Sequence, residues 1–297
     1  VIGALAITAL AAAAPVSAIE IAGEAELFAP GIASTDHSEI RLTISPDGNT
    51  ALWFSRDRPG GAGGYDIWMT RRTTAGWGPA APVSFNSPGR DFDPAFSADG
   101  RFVFFCSDRP GGIGKDDLYR VAVTGAGFGT PENLGPAVNS AGAEYAPMLS
   151  PDGSQLLFSS DRPGGAGGHD LYTAKAEAGR FAAAAPLAGA INSAADEFDG
   201  TFLSDGRTVV FARAPSMKAD RIDLHVAAER NGRYDKGMIL PLAVNDPVGD
   251  SYGPMLDWSA SGRLTFSAQR GASGSMDLYR AAYRLTASDG LEDDDAR

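Results

Sequence analysis

The sequence predicts an all-β chain, a five-bladed β-propeller of four-stranded antiparallel blades whose last blade is closed by the N-terminal strand, and three observations lead there. An acid or hydroxyl recurs at Glu39, Asp91, Glu144, Glu197 and Ser251, at intervals of 52, 53, 53 and 54 residues. Each interval holds short apolar runs punctuated by turn residues, in a chain with 37 Gly and 19 Pro among 297 residues. A strand-like segment also precedes the first unit, while the last unit ends without one. A repeat of roughly 50 residues is one small sheet that cannot bury both faces alone, so copies must stack.

The first strand of each unit follows the acid, as in Asp93 to Phe96 or Tyr145 to Leu149. It stops at Ser45-Pro46-Asp47-Gly48, Ser97-Ala98-Asp99-Gly100, Ser150-Pro151-Asp152-Gly153 and Ser204-Asp205-Gly206. Pro presets φ, Asp accepts a backbone N–H and Gly supplies positive φ, so these Asp residues are turn formers. Second strands are unbroken apolar runs, Ala51 to Phe54, Phe102 to Cys106, Leu156 to Phe158, Thr208 to Phe211 and Leu264 to Phe266, as expected of strands buried on both faces. Third strands open with Asp66-Ile67-Trp68, Asp117-Leu118-Tyr119, Asp170-Leu171-Tyr172, Asp223-Leu224-His225 and Asp277-Leu278-Tyr279, whose aromatics suit packing between blades. Fourth strands begin at Trp77, Phe128, Phe181 and Tyr234 and end at Asn86, Asn139, Asn192 and Asn245, where an Asx-turn is expected to bend the chain into the next blade. Glu26 to Ser34 lies ahead of every unit and is expected to supply the missing outer strand of the fifth, which removes the free sheet edges.

Composition sets outer limits. With 43% hydrophobic and 21% charged residues the chain can bury a large core, and a net charge of −12 disfavours nucleic acid as a partner. Residues 1–18, VIGALAITALAAAAPVSA, read as the apolar region and cleavage site of a secretory signal peptide with a truncated n-region. Residues 19–286 form the expected propeller and 287–297 an acidic, disordered tail. A periplasmic or secreted monomer follows, with no stable membrane insertion after cleavage. His37, His169 and His225 are scattered and Cys106 is alone, so neither a cofactor nor a metal is expected.

Ser55-Arg56-Asp57-Arg58-Pro59-Gly60-Gly61, Ser107-Asp108-Arg109-Pro110-Gly111-Gly112 and Ser160-Asp161-Arg162-Pro163-Gly164-Gly165, together with Ser-Pro-Asp-Gly and Asn-Ser before the acid, resemble the WD-like "Pro-Asp" β-propeller repeat. That family includes the TolB-like propellers of bacterial envelope proteins, and the resemblance spans residues 25 to about 285. The fourth unit, at Arg213-Ala214-Pro215, and the fifth, at Ala268-Gln269-Arg270-Gly271, have drifted. The resemblance implies a binding scaffold in the cell envelope.

Chain direction places Glu39, Asp91, Glu144 and Glu197 at the mouth of the central channel, ringed by loops carrying Arg58, Arg109 and Arg162. Such a rim could hold a cation, a basic peptide or a polyhydroxy ligand; equally, each acid could cap backbone N–H groups while each Arg braces its loop. Asp93 and Asp199 depart from the repeat and are the stronger functional candidates. No Ser-His-Asp or Cys-His arrangement is visible. The chain is therefore expected not to be an enzyme but to bind an envelope protein or peptide, or a glycan, through its acidic channel face. The alternative is a glycoside hydrolase-like enzyme using Asp91 or Asp93 with Glu144 and Glu197.

Overall fold

A computed structural model describes residues 19–56, 58–177, 179–218, 221–270 and 274–286; the expected signal segment and acidic tail lie outside the described residues. The described chain is all β, in five antiparallel sheets. Blade 1 runs outward from Glu39–Ile44 through Thr50–Arg56 to Tyr65–Thr73. The corresponding strands of blade 2 are Asp91–Phe96, Phe102–Ser107 and Asp117–Thr124, and of blade 3 Glu144–Leu149, Gln155–Ser160 and Asp170–Glu177. Blade 4 uses Asp196–Phe202, Thr208–Ala214 and Asp223–Arg230, and blade 5 Ser251–Leu256, Arg263–Ala268 and Asp277–Leu285. Inner and middle strands are buried almost throughout because each sheet is sandwiched between neighbours. Third-strand aromatics, expected to pack between blades, stack instead on their cross-strand partners within a sheet, Phe105 on Tyr119, Phe158 on Tyr172 and Phe266 on Tyr279, with centroids 5.6 to 6.0 Å apart; between blades Phe54 meets Phe92 and Phe104 meets Phe181.

The outer strand differs from expectation. In blades 1 to 4 it is two short pieces on the third strand, as in Gly76–Trp77 and Ala81–Pro82 of blade 1. Beyond them the Asn residues do not close Asx-turns. Each side-chain amide behaves as one more peptide group of the ladder: Asn86 accepts from Ile67 N and donates to Ile67 O, and Asn139, Asn192 and Asn245 do the same to Leu118, Leu171 and Leu224. An amide side chain carries one acceptor and a donor at peptide-like spacing, so it can end a strand without leaving the third strand's N–H orphaned.

Blade 5 takes its outer strand from the N-terminus, Ile19–Leu27, paired antiparallel from Ile19 opposite Leu285 to Leu27 opposite Tyr279. This closure was expected, but from Glu26 to Ser34; the strand instead starts at Ile19 and ends at Leu27. After Leu27 the chain turns at Ala29, which has φ +43° and accepts hydrogen bonds from Ile32 N and Ala33 N, so Pro30 and Gly31 form a turn. Ser34 then replaces the Asn, its hydroxyl accepting from Leu278 N at 3.1 Å.

Candidate functional site

The inner strands all start on one face of the ring, here the upper face, and there the repeat acids lie. Glu39, Asp91, Glu144 and Glu197 are fully buried. Each receives the backbone N–H and hydroxyl of the residue four positions earlier, Thr35, Ser87, Ser140 or Ser193. Each also meets an arginine: Arg109 reaches Asp91 at 2.5 Å, Arg162 reaches Glu144 at 3.0 Å, and Arg58 reaches Glu39 at 3.5 Å. The same guanidinium groups donate to Phe85, Val138 and Ile32 carbonyls and stack on Tyr119, Tyr172 and Trp68. The structure thus brings Glu39, Asp91 and Glu144 together with the three candidate arginines pairwise, one pair in each of blades 1 to 3, as braces between the inner strand and the preceding connection.

In blade 4 the loop arginine is missing and Arg213, on the middle strand opposite Glu197, takes over its contacts. Its Nε donates to Glu197 at 2.7 Å and its Nη2 to Ile191 O at 2.8 Å. In blade 5 Ser251 takes the place of the acid, and Arg270 donates instead to the carbonyls of Ala243 and Val244. Arg213 and Arg270 were not picked out from sequence because the motif around them has drifted.

Two residues past each acid the inner strand bulges. Arg41, Asp93, Ala146, Asp199 and Gly253 occupy that position with φ between +52° and +62°, and the pairing register slips there in every blade. Hydrogen bonds tie this ring across blades: Ala146 N donates to Asp93 at 3.0 Å, Gly253 N to Asp199 at 3.1 Å and Asp199 N to the Ser159 hydroxyl at 3.0 Å. Asp93 is raised well above the carboxylate range by burial first and then by Asp199, against the pull of Arg41; Asp199 is raised by burial, again opposed by Arg41. Arg41 was overlooked in the sequence although it stands at the position of Asp93 and Asp199, two places after a repeat acid. Its signal was the lone charge in the run Ile40 to Ile44. Among the described residues no group of three or more His, Cys, Asp and Glu is placed to hold a metal ion.

A third feature lies at the upper outer edge of blade 4. In blades 1 to 3 the Gly-rich loop folds over the start of the third strand, donating backbone N–H groups to Asp66, Asp117 and Asp170. In blade 4 the sequence lacks the Gly-Gly motif and Arg221 pairs with Asp223; among the described residues no loop N–H donates to that carboxylate. A cleft of about 620 Å3 opens there, lined by Ala195, Ala214, Pro215, His225 and Ile239 among others. Ile239 is 57% exposed and Met217 nearby 41%. Burial lowers the pKa of His225, whose Nδ1 lies 3.1 Å from the Asp223 carbonyl.

No family model matches this chain, and no curated protein matches it. Solved structures share the fold. A protein of Agrobacterium tumefaciens assigned as TolB superposes with a TM-score of 0.51 at 15% identity, over 85% of this chain and 91% of its own. An α-L-arabinofuranosidase of Lactobacillus brevis superposes with a TM-score of 0.55 at 10% identity, over 86% of this chain and 92% of its own. TolB of Acinetobacter baumannii matches over 83% of this chain at 14% identity and a TM-score of 0.48, and the chain spans 55% of that relative's length. These identities establish architecture alone. They also correct the expectation that the chain is not an enzyme: a glycoside-cleaving enzyme shares this ring at least as closely as a TolB-type protein does, so the fold gives no ground for excluding catalysis. Among the described residues no helix is long and apolar enough to cross a membrane.

Proposed function

We propose that this chain is an exported propeller of the cell envelope, of the WD-like Pro-Asp type, that binds a protein or peptide partner at the upper outer edge of blade 4. The observation that carries this reading is the cleft left where the fourth unit lacks the Gly-rich loop, with Ile239 and Met217 exposed beside it. The repeat acids already have arginine and hydrogen-bond partners, whereas the cleft offers uncommitted apolar surface rimmed by Arg221 and His225. Exposed apolar surface beside polar groups is what a peptide side chain can bury. The partner supplies an aliphatic or aromatic anchor to that cleft.

A pull-down from envelope extract tests it. Wild type should recover a partner, and Ile239→Glu should weaken the isolated interaction by roughly 30-fold, the effect of losing one anchoring contact worth about 2 kcal/mol. Recovery of no partner, or equal recovery by the variant, counts against the reading.

A further inference from the structure

The axial ring contains groups that the protein leaves incompletely paired. Arg41 is fully buried; its Nη2 donates to the Pro147 carbonyl of blade 3 at 3.3 Å, while Nε and Nη1 find no acceptor. Asp93 from blade 2 and Asp199 from blade 4 both feel its charge, yet among the described residues no ion pair within 4.0 Å involves Arg41. Each carboxyl accepts a backbone N–H at Oδ2, where Asp93 also meets the Cys106 thiol at 4.0 Å, and the two residues keep 4% and 6% exposure. A buried guanidinium with orphaned donors is costly, by about 1–3 kcal/mol for each such polar group, unless something supplies the acceptors.

What fits can be argued from charge and valence. Burial of the two carboxyls, and the repulsion of Asp93 by Asp199, favour retention of a proton between them, so the trio with Arg41 is close to neutral. A charged ligand would bring an uncompensated charge into a low-dielectric site. A lone carbonyl would satisfy Arg41 and bring no donor to the two Oδ1 atoms. A hydroxyl both accepts and donates, so neighbouring hydroxyls can serve both. The other two ring positions, Ala146 and Gly253, carry no long side chain to compete for the axis. We propose that the axial site between Arg41, Asp93 and Asp199 binds a small neutral ligand bearing adjacent hydroxyl groups, a polyol or monosaccharide. Arg41 donates to one hydroxyl and the two carboxyls accept from others. This inference stands apart from the partner cleft on blade 4.

Isothermal titration calorimetry on the full chain tests it, with glycerol, arabinose, xylose and glucose as probes and acetate and methylammonium as charged counterparts. At least one polyol or sugar should saturate a single site and neither ion should. Asp199→Asn, which keeps the side-chain shape, should weaken that binding about tenfold or more, the loss of a hydrogen bond to a charged group. Arg41→Gln should do likewise, and thermal melts establish that each variant is folded; if Arg41→Gln does not fold, Asp199→Asn carries the test. Ile239→Glu should leave sugar binding unchanged, so failure at the axis and failure at the blade 4 cleft are told apart. The proposal is overturned if no probe saturates, if an ion binds in place of the neutral probes, or if binding survives Asp199→Asn undiminished.

Discussion

At the scale of single residues, one charge pattern serves four blades with unequal strength. Asp91, Glu144 and Glu197 meet an arginine nitrogen at 3.0 Å or less, whereas Arg58 stands 3.5 Å from Glu39. Burial therefore dominates at Glu39 and pushes its carboxyl up to about 7, with the Thr35 hydrogen bonds and Arg58 opposing. Because the folded state holds this proton more tightly than the unfolded chain, whose value is 4.5, the associated stability is complete below pH 4.5 and is lost as pH rises through 7. Glu39→Gln keeps the shape without the titration. Urea unfolding at pH 5 and pH 8 should show wild type losing up to about 3 kcal/mol more than the variant over that interval. An identical loss in both proteins would refute the assignment. Asp93 and Asp199 are raised in the same direction, so a residual slope of the same sign remains in the variant.

At the scale of the strand, the recurrent Asn is a structural clip whose role is set by geometry. Asn139 is buried, accepts from Leu118 N at 2.8 Å and donates to Leu118 O at 3.1 Å and to the Asn133 side chain at 2.9 Å. Asn139→Leu fills a similar volume but orphans the Leu118 N–H, at a cost of about 1–3 kcal/mol. Native-state hydrogen exchange should show the Leu118 amide losing protection while amides of Gln155–Ser160 in blade 3 change far less; unchanged protection at Leu118 would dismiss the clip. The inner-strand bulge is likewise a repeated element, and it turns the same backbone position of every blade toward the axis. Spacing made the turns at Gly48, Gly100 and Gly153 readable, since positive φ there needs glycine. Nothing local announced that Arg41, Asp93 and Ala146 would adopt that conformation without it.

At the scale of the whole molecule, the ring is held shut by chain ends that are distant in sequence. Ile19–Leu27 covers the edge of Asp277–Leu285, and Phe28 continues the contact by donating from its N–H to Leu278 O at 2.8 Å. Deleting residues 19–27 leaves that third strand with a free hydrogen-bonding edge. The truncated chain should show concentration-dependent association in size-exclusion chromatography and a lower, less cooperative melting transition. A monomer with the wild-type transition would argue that closure contributes little.

The repeat period, the strand count and the need for a borrowed outer strand were determined by the sequence alone, because period, apolar runs and turn residues are local properties that survive without coordinates. So were Asp93 and Asp199 as departures from the pattern. Only the tertiary structure decided which polar groups are already engaged. It paired Glu144 with Arg162, moved Arg213 into a place vacated by a loop, and carried Arg41 across the axis to Pro147, 106 residues away. Partnership between buried charges depends on distances through space, and these are set by how five sheets pack around an axis rather than by any segment of the chain.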